Sequence, residues 1–281
     1  MDAAPLGLVA GEGIFPLLVA RGAKAAGRAV VCVGFTGNAW PQLAKEVDHF
    51  IWARPSRPRK WFRFLHRHGC HEAIMVGRVQ KVKLHQPFAV LTHLPDWLAL
   101  KLWWTVLRKD KRSQTGISML LKLFESEEVP LIDSTNYCKE HLAGAGVMTR
   151  RQPSASQWDD IHFGWERCAT LSRLDIGQAI ALLQRDVIAV EALEGTNAMI
   201  ERAGDLCRSG GWVCIKVSNT HQDMRLDVPT VGVTTIEKLH AAKAACLVLE
   251  PGKTIMLEKP KVIDLADRCG ISIVGYEPKA S

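Results

Sequence analysis

The sequence predicts an α/β protein with two α/β-type domains joined by a linker. Its 281 residues suit two domains at roughly 150 residues each. Helical segments alternate with short apolar strands, and the chain opens on a strand, a glycine turn, a helix and a second strand. This Rossmann-like βαβ opening is typical of a parallel sheet. The composition, 47% hydrophobic and 23% charged, is globular and argues against disorder.

The first half begins with a buried strand at residues 6–11, followed by a helix at 14–27. The other predicted elements of this half are strands at 29–34, 72–76 and 131–132 and helices at 61–68, 97–109 and 116–128. The pattern breaks at 140–160, a stretch rich in Gly, Ser and Pro that we interpret as the linker. The predicted domains are therefore residues 1–145 and 146–281.

The second half repeats the alternation, so that both halves are predicted to be α/β. Its predicted helices lie at 159–171, 198–207, 234–245 and 262–269. Its apolar strand segments lie at 176–183, 187–191, 212–217, 246–249, 254–257 and 271–275.

Positive charge is concentrated in the first half. Residues 1–150 carry 21 basic and 12 acidic side chains, whereas residues 151–281 carry 15 and 17. Residues 54–112 alone hold 14 basic and 3 acidic groups, interleaved with Trp and Phe. Such a segment calls for an anionic partner: nucleic acid, acidic lipid or a phosphorylated substrate. Because it contains no recognised RNA- or DNA-binding motif, we expect no nucleic acid.

Other features exclude several protein classes. The chain has no run of 18 apolar residues, which argues against a transmembrane helix. Its first basic residue is Arg21, so the N-terminus lacks the basic region of a signal peptide. The eight cysteines form no CxxC pair, which argues against a zinc ribbon or a thioredoxin motif. We expect reduced, buried thiols in a cytoplasmic protein.

The turn Gly11-Glu12-Gly13 is the first candidate binding site. Backbone amides at the start of a helix bind phosphate, and glycine lets a ligand approach closely. The full dinucleotide fingerprint needs a third glycine where Pro16 stands. Gly11 and Gly13 therefore either contact a phosphate or nucleotide, or form a tight turn without a ligand.

Two further candidates lie in the second half: Leu174-Asp175-Ile176-Gly177-Gln178, and the run from Ala189 to Ile200 that contains Glu191 and Glu194-Gly195-Thr196-Asn197. In α/β proteins, ligands bind where strands end and helices begin. The second motif places an acid, a glycine and a hydroxyl at such a junction. The alternative is that Thr196 or Asn197 simply caps the following helix.

The densest cluster of chemically capable side chains lies between residues 216 and 232. Asp223 and Asp227 could hold a divalent cation through hard oxygen ligands. Lys216 and Arg225 could neutralise phosphoryl oxygens. The alternative is a solvated loop whose charges pair with one another.

Taken in order, these motifs resemble those of the UDP-2,3-diacylglucosamine pyrophosphatase family of lipid A biosynthesis, the alternative, non-calcineurin-type family. The motifs that carry the resemblance are Leu174-Asp-Ile-Gly-Gln178, Ala189-Val-Glu-Ala192, Glu194-Gly-Thr196, Lys216 and Gln222-Asp223-x-Arg225-x-Asp227-x-Pro229-x-x-Gly232. Segments 7–13, 77–81 and 271–275 also look like family positions, so the resemblance covers nearly the whole chain. The second-half motifs are specific as a set, and none is decisive alone.

The resemblance implies Mg²⁺-dependent hydrolysis of UDP-2,3-diacylglucosamine to UMP and 2,3-diacylglucosamine 1-phosphate, with the lipid substrate in a cleft between the two domains. The essential acid of the family matches Asp227, and the expected catalytic residues are Asp227, Lys216 and Arg225. The expected substrate contacts are Gly11, Gly13, Asp175, Gln178, Glu194, Thr196 and Gln222. The expected Mg²⁺ ligands are Asp227, Asp223 and Asn197. Asp227 could bind the metal or take a proton from water; ligation is favoured because a metal-bound carboxylate is a poor base.

The sequence departs from the family pattern at two positions. Asn197 stands where the family commonly has Asp, and Gln114 stands where a second acid is expected after Asp110. These departures keep open a non-catalytic nucleotide- or lipid-binding protein on the same scaffold.

The basic segment 54–112 is expected to contact the cytoplasmic leaflet of the inner membrane peripherally. The alternative is a solvated basic face with core tryptophans.

Overall fold

The computed structural model describes residues 4–79, 97, 113–218, 223–226 and 228–278. The chain divides into two compact units, Met1–Cys138 and Lys139–Ser281. The predicted helix at 97–109 lies outside the described residues except for Trp97, which is helical.

Unit 1 contains a parallel sheet in which four strands are described, in the order β3-β2-β1-β4. The strands are β1 (Leu6–Ala10), β2 (Val30–Phe35), β3 (His49–Ala53) and β4 (Ala73–Val76). The helices are α1 (Phe15–Ala25), α2 (Leu43–Glu46), α3 (Pro58–Arg67) and α4 (Ser113–Ser126). Every residue of β1 and β2 is buried, as expected for central strands covered on both faces. The predicted βαβ opening is confirmed.

The strand order of unit 1 reverses between β1 and β4, where α/β proteins form a crevice. Here the two loops that leave these strands fill part of that space. A Cβ on Gly11 would lie 2.6 Å from the Arg78 carbonyl oxygen, and a Cβ on Gly77 would lie 2.7 Å from the Gly11 carbonyl carbon. Gly13 has a φ of 111°, which favours glycine. Backbone contact and turn geometry therefore account for these glycines; a ligand contact at Gly11 or Gly13 stays a prediction.

Two elements of unit 1, β3 and α2, were not predicted from the sequence. Strand β3 reads His-Phe-Ile-Trp-Ala, lies at the edge of the described sheet and exposes His49 and Trp52. It lacks the continuous apolar run that marked β1 and β2. Helix α2 is a single turn, too short to show periodicity. Conversely, the strand predicted at 131–132 is a single bridge between Leu131 and Ala73.

Unit 2 contains a mixed sheet whose described strands follow the order β5-β12-β10-β8-β6-β7. Strands β8, β10 and β12 are parallel, and β6 pairs antiparallel with both β8 and β7. The bounds are β5 (Gly146–Val147), β6 (Ala179–Leu183), β7 (Asp186–Val190), β8 (Val213–Lys216), β10 (Cys246–Leu249) and β12 (Ser272–Gly275). A separate parallel pair consists of β9 (Thr230–Val231) and β11 (Ile255–Met256).

Four helices described in unit 2 cover its larger sheet. They are α5 (Ala155–Arg173), α6 (Thr196–Leu206), α7 (Val233–Ala241) and α8 (Lys259–Cys269). Ile161, Trp165 and Cys168 of α5 pack in one apolar cluster with β6, β8 and β10. A second cluster joins the alternate residues of those strands to α6, α7 and α8. The sheet is therefore buried between two layers of helix.

Helix α5 begins inside the segment that was predicted to be the linker. Ser154 and Gln157 form a capping box, in which the Gln157 N–H donates to Ser154 Oγ (3.3 Å) and the Ser154 N–H donates to Gln157 Oε1 (2.9 Å). A serine followed three residues later by glutamine is a recognised helix start. The linker predicted through residue 160 and the helix start predicted at 159 therefore both lie too far along the chain, because the abundance of Ser and Pro masked this signal.

Seven of the eight cysteines are buried and Cys269 is half-buried. Burial raises the pKa of Cys168 and Cys214 to about 12 and that of Cys70 to about 11. The expected reduced, buried thiols are present. Within the described ranges, no helix is long and apolar enough to cross a bilayer.

Candidate active site at the carboxyl edge of the second sheet

The topology of unit 2 gathers polar side chains at one edge of its sheet. Strands β7, β8 and β10 run in the same direction, so their carboxyl ends meet at that edge. Glu191 directly follows β7, Lys216 ends β8 and Glu250 directly follows β10. Ligands of α/β proteins commonly bind at such an edge.

Glu191, Thr196 and Lys216 are joined by hydrogen bonds; we call them the edge triad. Thr196 Oγ1 donates to Glu191 Oε1 at 2.8 Å, and Lys216 Nζ donates to Thr196 Oγ1 at 2.7 Å. Lys216 is 5% exposed and Glu191 is 6% exposed, whereas Thr196 is half-buried. Buried charges are stable only when they are paired and hydrogen-bonded, and the threonine hydroxyl provides that connection.

The register of the sheet explains why these residues meet. The Glu191 N–H donates to the Ala179 carbonyl at 2.8 Å, and Lys216 pairs with the same residue across β6 and β8. Glu191 and Lys216 therefore lie on opposite sides of one residue of β6. Thr196, the first residue of α6, is hydrogen-bonded to both side chains.

One carboxylate oxygen of the edge triad is unusual. Glu191 Oε2 is buried, and it has no hydrogen-bond partner within the described part of the chain. A buried acceptor without a donor is destabilising, so such an atom in a native protein calls for an explanation.

Thr196 does not cap its helix. The N-cap position is Gly195, with a φ of 83°, and glycine has no side chain to accept from the helix amides. The Thr196 hydroxyl is instead committed to Glu191 and Lys216. The capping alternative for Thr196 is therefore wrong. The amino end of α6 carries partial positive charge beside the Lys216 ammonium.

The segment that contains Asp175 and Gln178 lies alongside Glu191. A Cβ on Gly177 would lie 1.9 Å from the Glu191 carbonyl oxygen, so this position requires glycine. Gln178 is half-buried, and its carbonyl accepts from the Val217 N–H at 2.9 Å. Asp175 is exposed, with a φ of 57°. Gln178 thus borders the triad through its backbone, and Asp175 lies in the turn before it.

Glu194 and Asn197 lie on the exposed side of the same strand-to-helix turn. Glu194 accepts from the Ala192 N–H at 3.2 Å and from Arg202 at 2.6 Å. Its own backbone N–H, followed by Arg202, lowers the pKa of the Glu194 carboxyl. These contacts stabilise the turn that presents Thr196.

Asp223 and Arg225 form a local pair. Arg225 donates to both carboxylate oxygens of Asp223, at 2.8 and 2.7 Å, and this bond lowers the pKa of Asp223. For these two residues, the alternative of charges that pair among themselves matches the structure. It does not match Lys216, which is bonded to Thr196. Gln222 and Asp227 lie outside the described residues.

The described residues fit a Mg²⁺ ion only in part. Within these ranges, no three His, Cys, Asp or Glu side chains lie close enough together to hold a metal. Asp223 would first have to leave Arg225, and Asn197 offers a neutral oxygen. Glu191 Oε2, however, is a buried hard oxygen with no described donor, which is the kind of ligand that Mg²⁺ prefers.

Chemically, the edge triad is suited to binding an oxyanion. An ammonium has three protons, and Thr196 takes one, so two remain for a ligand. The adjoining helix start also favours negative charge. The sequence marked Lys216 and Thr196 as candidate site residues, whereas Glu191 was noted only as part of a motif and was given no role. The signal was a glutamate placed directly after an apolar strand.

A groove of about 670 Å³ lies elsewhere in unit 2, between α6 and α7. It is lined by Glu201, Asp205, Arg208 and Lys238 among others, and Lys238 is paired with Glu201. Helix α6 starts at the edge triad and runs away from it, so the far half of the helix borders the groove. The groove is therefore separate from the edge triad, which is the candidate active site.

Comparison with known proteins gives matches along nearly the whole chain. Residues 5–141 match the family model described as the LpxI N-terminal domain, and residues 144–274 match that of the LpxI C-terminal domain. A relative from Caulobacter vibrioides, the UDP-2,3-diacylglucosamine pyrophosphatase LpxI, is 29% identical over 98% of both chains.

Proposed function

Because the chain belongs to the LpxI family, we propose that it is an enzyme of lipid A biosynthesis that hydrolyses UDP-2,3-diacylglucosamine. Water adds to one phosphorus and the bridging P–O bond breaks, which yields UMP and 2,3-diacylglucosamine 1-phosphate. The reaction needs neutralisation of the pyrophosphate charge and a positioned water.

The observation that best supports this proposal is the buried Lys216 ammonium at the carboxyl edge of the sheet. Thr196 holds it at 2.7 Å, beside the amino end of α6. A buried, fixed cation stabilises charge on phosphoryl oxygens more strongly than a solvated one. Arg225 would supply a second cation when the pyrophosphate competes with Asp223 for its guanidinium.

We further propose that the reaction depends on Mg²⁺, with Asp227 as its principal ligand and Glu191 Oε2 as an available oxygen. When bound, Mg²⁺ would neutralise phosphoryl charge and lower the pKa of a coordinated water. Asp223 and Asn197 remain proposed ligands of lesser weight, because one is ion-paired and the other is neutral.

The proposal is tested with purified protein, UDP-2,3-diacylglucosamine and Mg²⁺, with and without EDTA. We expect UMP and the lipid monophosphate in equal amounts, and loss of both products with EDTA. Asp227→Ala should lose turnover yet retain bound substrate, which mass spectrometry of co-purifying lipid would detect. If the wild-type protein binds the substrate but releases no UMP at high concentration, the non-catalytic alternative is correct instead.

We also propose that helix α3 contacts the cytoplasmic leaflet of the inner membrane. Its buried face consists of Pro58, Trp61, Phe62 and Leu65. Trp61 and Phe62 therefore belong to the core, as the alternative of a solvated basic face with core tryptophans predicted. The outward positions, which we call the α3 basic face, are Arg59, Lys60, Arg63, His66 and Arg67. The helix contains no acidic residue.

An exposed tryptophan adjoins the α3 basic face. Trp52 on β3 is 40% exposed, and its carbonyl accepts from Lys60 Nζ at 2.8 Å. Basic groups beside an interfacial tryptophan suit an anionic membrane surface, each basic group contributing about 1 kcal/mol. A lipid substrate embedded in that leaflet would thereby be brought to the enzyme.

A further inference from the structure

We infer that Glu191 is a positioning residue for the hydrolysis: through the Thr196 hydroxyl, it holds the Lys216 ammonium where the pyrophosphate oxygens bind. This inference rests on the proposed function and deepens it, because it assigns a task to Glu191 Oε1, the carboxylate oxygen that is not the one offered to Mg²⁺.

The chemistry of the three groups permits one arrangement of protons. An ionised carboxylate only accepts hydrogen bonds, an ammonium only donates them, and a hydroxyl donates a single proton. Thr196 must therefore give its proton to Glu191 Oε1 and present a lone pair to Lys216 Nζ, at 2.8 and 2.7 Å. Glu191 thus fixes the direction of the Thr196 hydroxyl, and the hydroxyl fixes the position of the ammonium.

Burial makes this dependence strong. Glu191 and Lys216 are each more than nine-tenths buried, so neither charge is well solvated by water. Within the described residues, Glu191 Oε2 receives no hydrogen bond. The negative charge of Glu191 is therefore compensated, among these residues, by the Lys216 ammonium, to which the Thr196 hydroxyl connects it. Removing one member of a buried charged network leaves the other uncompensated.

The neighbouring side chain on the same face of β8 offers no strong hydrogen bond to this network. The residue of β8 that shares a sheet face with Lys216 is Cys214, a buried thiol of raised pKa, and Glu191 and Lys216 both act on that pKa. A thiol is a weak donor and a weak acceptor. Among the described residues, the Thr196 hydroxyl is therefore the group that holds Nζ in place.

The test compares Thr196→Val, Thr196→Ser and Glu191→Gln with the wild-type enzyme. Valine keeps the shape of threonine and removes the hydroxyl, so we expect kcat to fall roughly 10- to 100-fold with KM within about twofold. Serine restores the hydroxyl, and we expect kcat within about threefold of wild type. The matched control is Thr254→Val, a fully buried threonine whose hydroxyl has no partner among the described residues, and it should leave kcat unchanged.

A double variant shows whether Glu191 acts through Thr196 or whether the two residues affect the site independently. If Glu191 acts through Thr196, then Glu191→Gln combined with Thr196→Val should lower kcat no further than the more harmful single change. If Glu191→Gln does not fold, as judged by circular dichroism, Glu191→Asp takes its place: the shorter side chain keeps the charge but loses its reach to Thr196, so kcat should fall, and an unchanged kcat would overturn the inference.

The outcomes distinguish this inference from the proposed function. Two results would overturn the inference alone, provided that the wild-type protein hydrolyses the substrate. One is a normal kcat in Thr196→Val. The other is a double variant whose loss of kcat equals the product of the two single losses. Absence of hydrolysis by the wild-type protein overturns the proposed function, and the inference with it.

Discussion

Gly11 and Gly77 pack backbone against backbone where β1 and β4 leave the first sheet. A Cβ on Gly11 would lie 2.7 Å from the Gly77 carbonyl carbon, and one on Gly77 would lie 2.9 Å from the Gly11 Cα. The Glu12 and Arg78 backbones then join the two loops, with hydrogen bonds of 2.7 and 2.9 Å. The loops at this switch point are thus held together by contacts that only glycine allows.

Gly11→Ala should therefore destabilise unit 1. The methyl group meets backbone atoms that cannot rotate away, so we expect the free energy of unfolding to fall by about 2–3 kcal/mol. Urea unfolding measures it. Gly116→Ala is the matched control: a Cβ there meets none of the described residues within 4 Å, and in a helix it should stabilise by about 0.5–1 kcal/mol. Equal stability of Gly11→Ala and the wild type would contradict the packing argument.

Lys216→Met should abolish most turnover and also weaken the fold. It removes the buried cation that compensates Glu191, so we expect kcat/KM to fall by at least about 100-fold. The free energy of unfolding should fall by about 3 kcal/mol, because a buried charge loses its partner. Restored stability in the double variant with Glu191→Gln, without restored activity, would identify the uncompensated charge as the cause of the instability.

Arg63→Gln with Arg67→Gln should weaken binding to vesicles that contain anionic phosphatidylglycerol. Two near-surface charges at about 1 kcal/mol each correspond to roughly 30-fold weaker partitioning, measured by sedimentation at low salt. The matched control, Arg185→Gln with Arg268→Gln, removes the same charge from exposed, ion-paired positions in unit 2. Equal loss in both pairs, or binding of homopolymer RNA in place of vesicles, would contradict the membrane assignment.

Asp48→Asn should lower stability at neutral pH and lose its effect in acid. The Val30 N–H, at 2.9 Å from Asp48 Oδ2, together with Lys24, lowers the pKa of the Asp48 carboxyl. A lowered folded-state pKa gives stability above the unfolded value of about 3.9, which is lost as the pH falls through the folded-state pKa. We expect a difference below about 1 kcal/mol at pH 7, because the side chain is 38% exposed.

Urea unfolding of wild type and Asp48→Asn at neutral and at acidic pH provides the measurement. The difference between them should shrink steadily below about pH 4. Asp186→Asn, on the exposed start of β7, is the control and should change little at either pH. A difference that persists at low pH would show that the carboxylate charge is not the cause.

The sequence predicted the central strands and the long helices because their apolar periodicity is strong. The sequence did not predict β3, an edge strand with exposed His49 and Trp52, because a half-solvated strand lacks the continuous apolar run that marks a buried one. It missed the start of α5 although Ser154 and Gln157 carry a capping-box signature. The capping-box signal was present in the sequence, but the abundance of Gly, Ser and Pro around it favoured a loop.

The sequence indicates which residue types the candidate site contains, but not how those residues are connected. Lys216 and Thr196 were selected, but the sequence cannot show that a hydroxyl 20 residues away is bonded to the ammonium. That bond depends on β6 lying between β7 and β8, which is a matter of strand order and not of spacing. The pair of Asp223 and Arg225 is local, only two residues apart, and it was left open as an alternative; Asp223 as a metal ligand stays a prediction.

The position of β7 at the edge of the described sheet has a dynamic consequence. Glu191 and Thr196 follow β7, which is paired to the sheet through β6, whereas Lys216 belongs to a central strand. Opening of the β6–β7 hairpin would separate the carboxylate from the ammonium while the parallel core stayed folded. Amide hydrogen exchange should accordingly be faster in β7 than in β8, and faster still when the hydroxyl link is cut. Assembly of the triad would then be a local folding event, which an anionic ligand would favour by binding the assembled form.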